Sequence, residues 1–142
     1  MNRTCAAIVI CLVAILLPGC STTKSLMGES PQLTGLVTQQ LGVTEAQANG
    51  GVGSMLKLAQ EKLSAGDFDQ IAKAVPGTSK YLDSAKQLLG GANVGDAAGL
   101  QGAFSKLGLS ADMVGKFKPI LTQYVGKAGG SQAGNLLASV LK

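Results

Sequence analysis

The chain has 142 residues, 46% hydrophobic and only 4% aromatic, with a formal net charge of +4 and no histidine. The length fits one domain of ordinary size, and the missing histidine excludes His-based triads, His-ligated metal centres and a side chain that switches near neutral pH. Eleven scattered lysines beside a single arginine read as a solvated surface, not as a nucleic-acid footprint, which clusters arginine with aromatic residues.

The start of the chain is an address. Met1-Asn2-Arg3-Thr4 is short and positive, Cys5 to Leu17 is free of charge, and Leu17-Pro18-Gly19-Cys20 closes the run. This is the order of a secretory signal. Thirteen apolar-rich residues are too few for a spanning helix, which needs about 20. The last four residues resemble the lipobox of a bacterial lipoprotein, with cleavage between Gly19 and Cys20 and lipidation of Cys20 by acyl chains such as palmitate; Pro18 departs from the small or β-branched residue usual there. Cys5 and Cys11 follow Thr4 and Ile10, not the small residue the cut requires, and leave with the signal. No disulfide is then expected in the mature domain. Ser21 follows the cysteine in place of the aspartate that commonly retains lipoproteins at the inner membrane, so the expected destination is the outer membrane, facing the periplasm. Residues 20–31 read as a lipidated N-terminus and flexible tether.

From Leu33 onward, apolar residues recur at helical spacing. Leu33, Leu36, Val37 and Leu41 form one stripe, then Val52, Met55, Leu56, Ala59 and Leu63 another. Phe68, Ile71, Ala72 and Val75 make a third, and Leu82, Ala85, Leu88 and Leu89 a fourth. Phe104 and Leu107 mark a short fifth, Val114, Phe117, Leu121, Tyr124 and Val125 a sixth, and Ala133, Leu136, Leu137, Val140 and Leu141 a last. The phenylalanines are expected in the core, with Tyr81 and Tyr124 half exposed.

Two corners share one design. At Leu41-Gly42-Val43-Thr44, Gly42 suits the left-handed helix end and Thr44 caps the next helix, with Gln47 completing a capping box. At Leu107-Gly108-Leu109-Ser110, Gly108 and Ser110 take the same parts. The corners stand 66 residues apart and suggest a weak pseudo-repeat of helix pairs. Asp67 with Gln70 starts a helix that Val75-Pro76-Gly77 ends. Gly50, Gly51 and Gly53 are expected to interrupt the helix beginning after Thr44, and Gly90 to Gly102 reads as a loop or a marginal helical turn. Pro119 is expected to kink the sixth helix or to open a new segment.

These motifs carry a resemblance. Residues 36–60 (LVTQQLGVTEAQANGGVGSMLKLAQ), 67–77 (DFDQIAKAVPG) and 104–121 (FSKLGLSADMVGKFKPIL) look like the VcgC/VcgE family of small bacterial proteins. The resemblance implies an exported, helical, glycine-punctuated domain and supplies no catalytic residues to carry over.

The residues themselves offer little chemistry. Asp67 and Asp69 stand two apart, where helical side chains do not face each other. Ser54-Met55-Leu56-Lys57 fits S-x-x-K, but so do Ser21 and Ser139 with their lysines, and the S-D-N and K-T-G companions are missing; Ser54 and Lys57 read as surface residues of one helix. Gly51-Val52-Gly53 lacks the third glycine and the preceding strand of a dinucleotide loop, and Gly126-Lys127 lacks the rest of a P-loop.

The expectation is an all-α, compact bundle of about five to seven short amphipathic helices with Gly-rich breaks. Residues 1–19 are a cleaved lipoprotein signal peptide, and 32–142 a single helical domain with a glycine-rich loop near 90–102. The expected function is a non-enzymatic envelope lipoprotein without cofactor or metal, held at the membrane by Cys20. A protein or lipid partner would sit in an apolar groove between helices, and no nucleic acid is involved. Two alternatives come from other classes: a small hydrolase or ligand carrier with a pocket of dispersed residues, and a membrane-active or self-associating protein built on Val52–Leu63 and Ala133–Lys142. The corner assignment has a direct consequence. Gly42→Val or Gly108→Val should destabilise the domain by more than about 1 kcal/mol, because left-handed positions reject β-branched residues, and parent-like thermal melting of both variants would contradict it.

Overall fold

A computed structural model describes residues 31–91 and 94–142. Gly19 and Cys20, and most of the expected tether, lie outside the described residues. Within them the chain forms six helices and no strand: α1 (Pro31–Leu41), α2 (Glu45–Lys62), α3 (Ala65–Ala74), α4 (Thr78–Leu89), α5 (Ala97–Lys106) and α6 (Ala111–Val140). The all-α bundle is as expected. Helix α1 already begins at Pro31, which the sequence reading assigned to the tether; proline is well suited to the first helical position, where its missing N–H costs nothing.

Helix α2 is the centre of the bundle. It packs against each of the other five, and from Gly50 to Leu56 every residue is buried, so it is covered on all sides as only a core helix is. Here the expected break is absent: α2 runs unbroken through Gly50, Gly51 and Gly53. These glycines permit close approach. A Cβ on Gly53 would overlap the Tyr81 carbonyl oxygen and stand 2.9 Å from Ala85 Cβ, both on α4. A Cβ on Gly51 would lie 2.7 Å from the Phe117 ring, and one on Gly50 2.7 Å from Leu107. The helix-propensity loss at each glycine, about 1 kcal/mol, is offset by the packing that the missing side chain allows.

A polar contact pins the same crossing. Thr34 of α1 donates its hydroxyl to Asn49 Oδ1 of α2 at 2.8 Å and lies 2.9 Å from the Tyr81 hydroxyl of α4. A threonine hydroxyl has one proton, so Tyr81 donates to Thr34. Tyr81 is 2% exposed, contrary to the half-exposed position expected for it; its ring is covered where α4 meets α2, and its polar end is satisfied inside.

Both glycine corners form. Gly42 (φ 65°) and Gly108 (φ 73°) are left-handed. Leu109 N–H donates to the Phe104 carbonyl and Gly108 N–H to that of Ser105, the paired bonds of a Schellman end. Thr44 and Gln47 complete the capping box, and the Gln47 amide also donates to the Leu107 carbonyl at 3.0 Å, joining one corner to the other. Ser110 occupies the N-cap position, but its side chain makes no capping bond; the Met113 N–H is instead taken by the Ser110 carbonyl.

Two further expectations need correction. The glycine-rich loop is shorter than 90–102, because Asp96 accepts the Gly99 N–H at 2.6 Å and starts α5 at Ala97. Pro119 leaves α6 helical; the non-helical residue is Gly130 (φ 86°, ψ 164°), in a region essentially confined to glycine. Pro119 and Gly115, four residues earlier, stand on the exposed face, where the carbonyl deprived of its donor meets water. Finally, Leu36 and Leu88 are exposed, lying at the outer margins of their stripes, and Phe68 is only partly buried.

Most of the remaining stripe residues are buried, including Phe104 and Phe117 packed edge to face at a centroid distance of 5.1 Å. Leu41, Leu63, Leu82 and Leu136 are only partly buried, and Leu58, Val94 and Leu100 join the core from outside the stripes. The two kinds of helical glycine should respond oppositely to alanine. Gly53→Ala is expected to cost at least about 2 kcal/mol by forcing α2 from α4. Gly102→Ala, where an added Cβ meets nothing within 4 Å, should stabilise by about 0.4–1 kcal/mol. Urea denaturation of both variants checks the pair; equal midpoints would contradict the close-crossing account.

Candidate functional site

The described residues hold no group of three or more candidate metal ligands. Five of the eight carboxylates take local structural roles: Asp67 accepts from Ser64 at the start of α3, Asp96 caps α5, and Glu61, Asp69 and Asp83 pair with Lys57, Lys73 and Lys86 on their own helices. Such surface pairs contribute little to stability.

The S-x-x-K residues are not assembled for nucleophilic chemistry. Ser54 is fully buried and donates to the Gly50 carbonyl at 2.7 Å, while Lys57 is 2.9 Å from Glu61. Ser54 is therefore not the surface residue the sequence suggested. Ser139 donates to the Leu136 carbonyl of its own helix, and Ser21 lies outside the described residues. Gly51 and Gly53 serve helix packing. Gly126 faces Gly134 across the reversal at Gly130, where a Cβ on Gly134 would come 3.0 Å from Gly126 Cα.

What the fold does build is a groove of about 260 Å³. Its apolar wall comes from distant parts of the chain: Leu58 on α2, Leu100 on α5, Val114 near the start of α6, and Val140 and Leu141 at its end. The reversal at Gly130 is what returns the last two to the side of Val114. Around this wall stand Lys62, Lys118 and Lys142, with Asp96, Ala97 and Gln101 at the start of α5. None of the three lysines makes an ion pair among the described residues, and the Asp96 carboxylate is held at the positive end of the α5 dipole. The high apolar content allows a groove between helices but does not name these residues. Leu58 and Lys62, four apart on α2, were the available local signal.

The family described as protein of unknown function VcgC/VcgE (DUF2780) matches residues 20–142. The chain belongs to the VcgC/VcgE family. The resemblance read from the three motifs is thus borne out, and the match spans the whole bundle as well as the segment from Cys20 to Ser30. No curated protein and no solved structure matches the chain. Within this VcgC/VcgE domain, a fluorophosphonate or a fluorescent penicillin is expected to leave Ser54 unmodified in the native state, since its hydroxyl is enclosed and engaged. An adduct on Ser54, located by mass spectrometry of the folded protein, would contradict that placement.

Proposed function

We propose that this VcgC/VcgE protein is an envelope lipoprotein, anchored through Cys20 and facing the periplasm from the outer membrane, whose helical domain is a non-enzymatic binding module. The observation that carries this reading is a coincidence of position. The lipobox-like Leu17-Pro18-Gly19-Cys20 ends at the residue where the family match begins, so the family domain starts where the mature chain would start.

Physical chemistry supports the division of labour. Two or more acyl chains on Cys20 hold a protein at a bilayer durably, whereas one holds it only reversibly. Among the described residues no helix is long and apolar enough to cross a membrane. The binding role is supported by the groove, and the non-enzymatic character by the dispersal of the carboxylates and by the engaged hydroxyls of Ser54 and Ser139.

Replacing the cysteine tests the anchor. In phase separation with a nonionic detergent the parent should enter the detergent phase, and its N-terminal peptide should carry acyl mass at Cys20. Cys20→Ala should move to the aqueous phase with its helical circular dichroism retained. Identical partitioning of parent and variant, with no acyl mass at Cys20, would overturn the reading.

A further inference from the structure

The groove combines two surfaces that ask for different things from one ligand. Its wall is aliphatic throughout: Leu58, Leu100, Val114, Val140 and Leu141 offer no ring on which a base or sugar could stack. Its rim carries Lys62, Lys118 and Lys142, brought together from the end of α2, the first third of α6 and the residue after Leu141. The one acidic side chain in the lining is Asp96, and it accepts the Gly99 N–H at 2.6 Å, so part of its charge is already met by the α5 backbone. Among the side chains of the rim, three lysines stand against one engaged carboxylate, a positive balance.

We propose that this groove is a binding site for a single-chain anionic amphiphile, a fatty acid whose hydrocarbon chain lies on the aliphatic wall and whose carboxylate is held by the lysine rim. The charge selects an anionic head, because a lysine ammonium bonds a carboxylate strongly. Asp96 at the rim disfavours a doubly charged phosphate more than a singly charged carboxylate. The volume limits the tail: about 260 Å³ is below the roughly 300–1,000 Å³ of sites for drug-sized ligands, which suits one chain and not a two-chain phospholipid. The site is formed by the helical domain alone and stands whether or not Cys20 carries lipid.

The probe is a diazirine-bearing dodecanoic acid, photolysed with the chain as purified from cells and, in parallel, with Cys20→Ala; adducts are located by mass spectrometry. Adducts are expected on the peptides holding Leu100, Val114 and Val140, in both proteins. Unlabelled dodecanoate should suppress them and dodecanol, with the same tail and no charge, should not. Lys62→Gln combined with Lys118→Gln should reduce labelling about tenfold, the loss of a charge-assisted contact. Gln101→Trp, which fills the mouth from an exposed position, should abolish labelling while circular dichroism stays that of the parent. Adducts scattered over the surface, equal competition by dodecanol, or labelling unchanged in the lysine variant would each overturn the site. A co-purified phospholipid that dodecanoate does not displace would overturn the choice of occupant. Loss of membrane partitioning in Cys20→Ala with groove labelling intact would confirm both anchor and site, and their separate failures are told apart by the same two proteins.

Discussion

The bundle depends on how closely α2 approaches α4. At Gly53 the α2 backbone lies where any side chain would meet the Tyr81 carbonyl, and the Tyr81 ring carries a hydroxyl to Thr34 on α1. One residue of α4 thus meets α2 through its main chain and α1 through its side chain. Gly50 and Gly51 extend the same close fit to Leu107 and Phe117, so that a single turn of α2 touches α4, the end of α5 and α6. In a protein with few aromatics, short distances between helices do what large side chains do elsewhere, because dispersion contacts multiply as backbones approach.

The groove is a consequence of the same economy of side chains. At the other end of the bundle, Gly126, Gly130 and Gly134 let α6 fold back on itself, and a Cβ on Gly129 would stand 2.6 Å from Ala74 of α3. This reversal returns Val140 and Leu141 to Val114 and sets Lys142 near Lys62 and Lys118. With α5 starting beside them at Ala97, an aliphatic wall gains a cationic rim. The charges come from three places in the sequence, and only the fold makes them one feature.

Much of this was legible in the residues. The stripes around Val37, Ile71, Ala85, Phe117 and Leu137 name residues that are buried, and the corners at Gly42 and Gly108 carry their left-handed glycines in their local spelling. What misled was glycine inside a helix. Propensity assigns the same loss to Gly53 and Gly102, yet one lies against a backbone and the other against open space; the difference resides in the partner helix. The same holds for Tyr81, whose burial is decided by α1 and α2. The groove was legible only as an abundance of apolar residues, since its lysines are far apart in the chain.

Native-state hydrogen exchange of the α2 amides tests the central claim most directly, because exchange reports whether a segment opens locally or only with the whole domain. If the glycines of α2 are packing positions in an unbroken core helix, the amides from Ser54 to Ala59, whose acceptors are the carbonyls of Gly50 to Met55, should be among the slowest in the protein. They should exchange with the free energy of global unfolding. Fast exchange there, with protection confined to either end of α2, would show a helix broken at Gly50–Gly53 and would contradict the account.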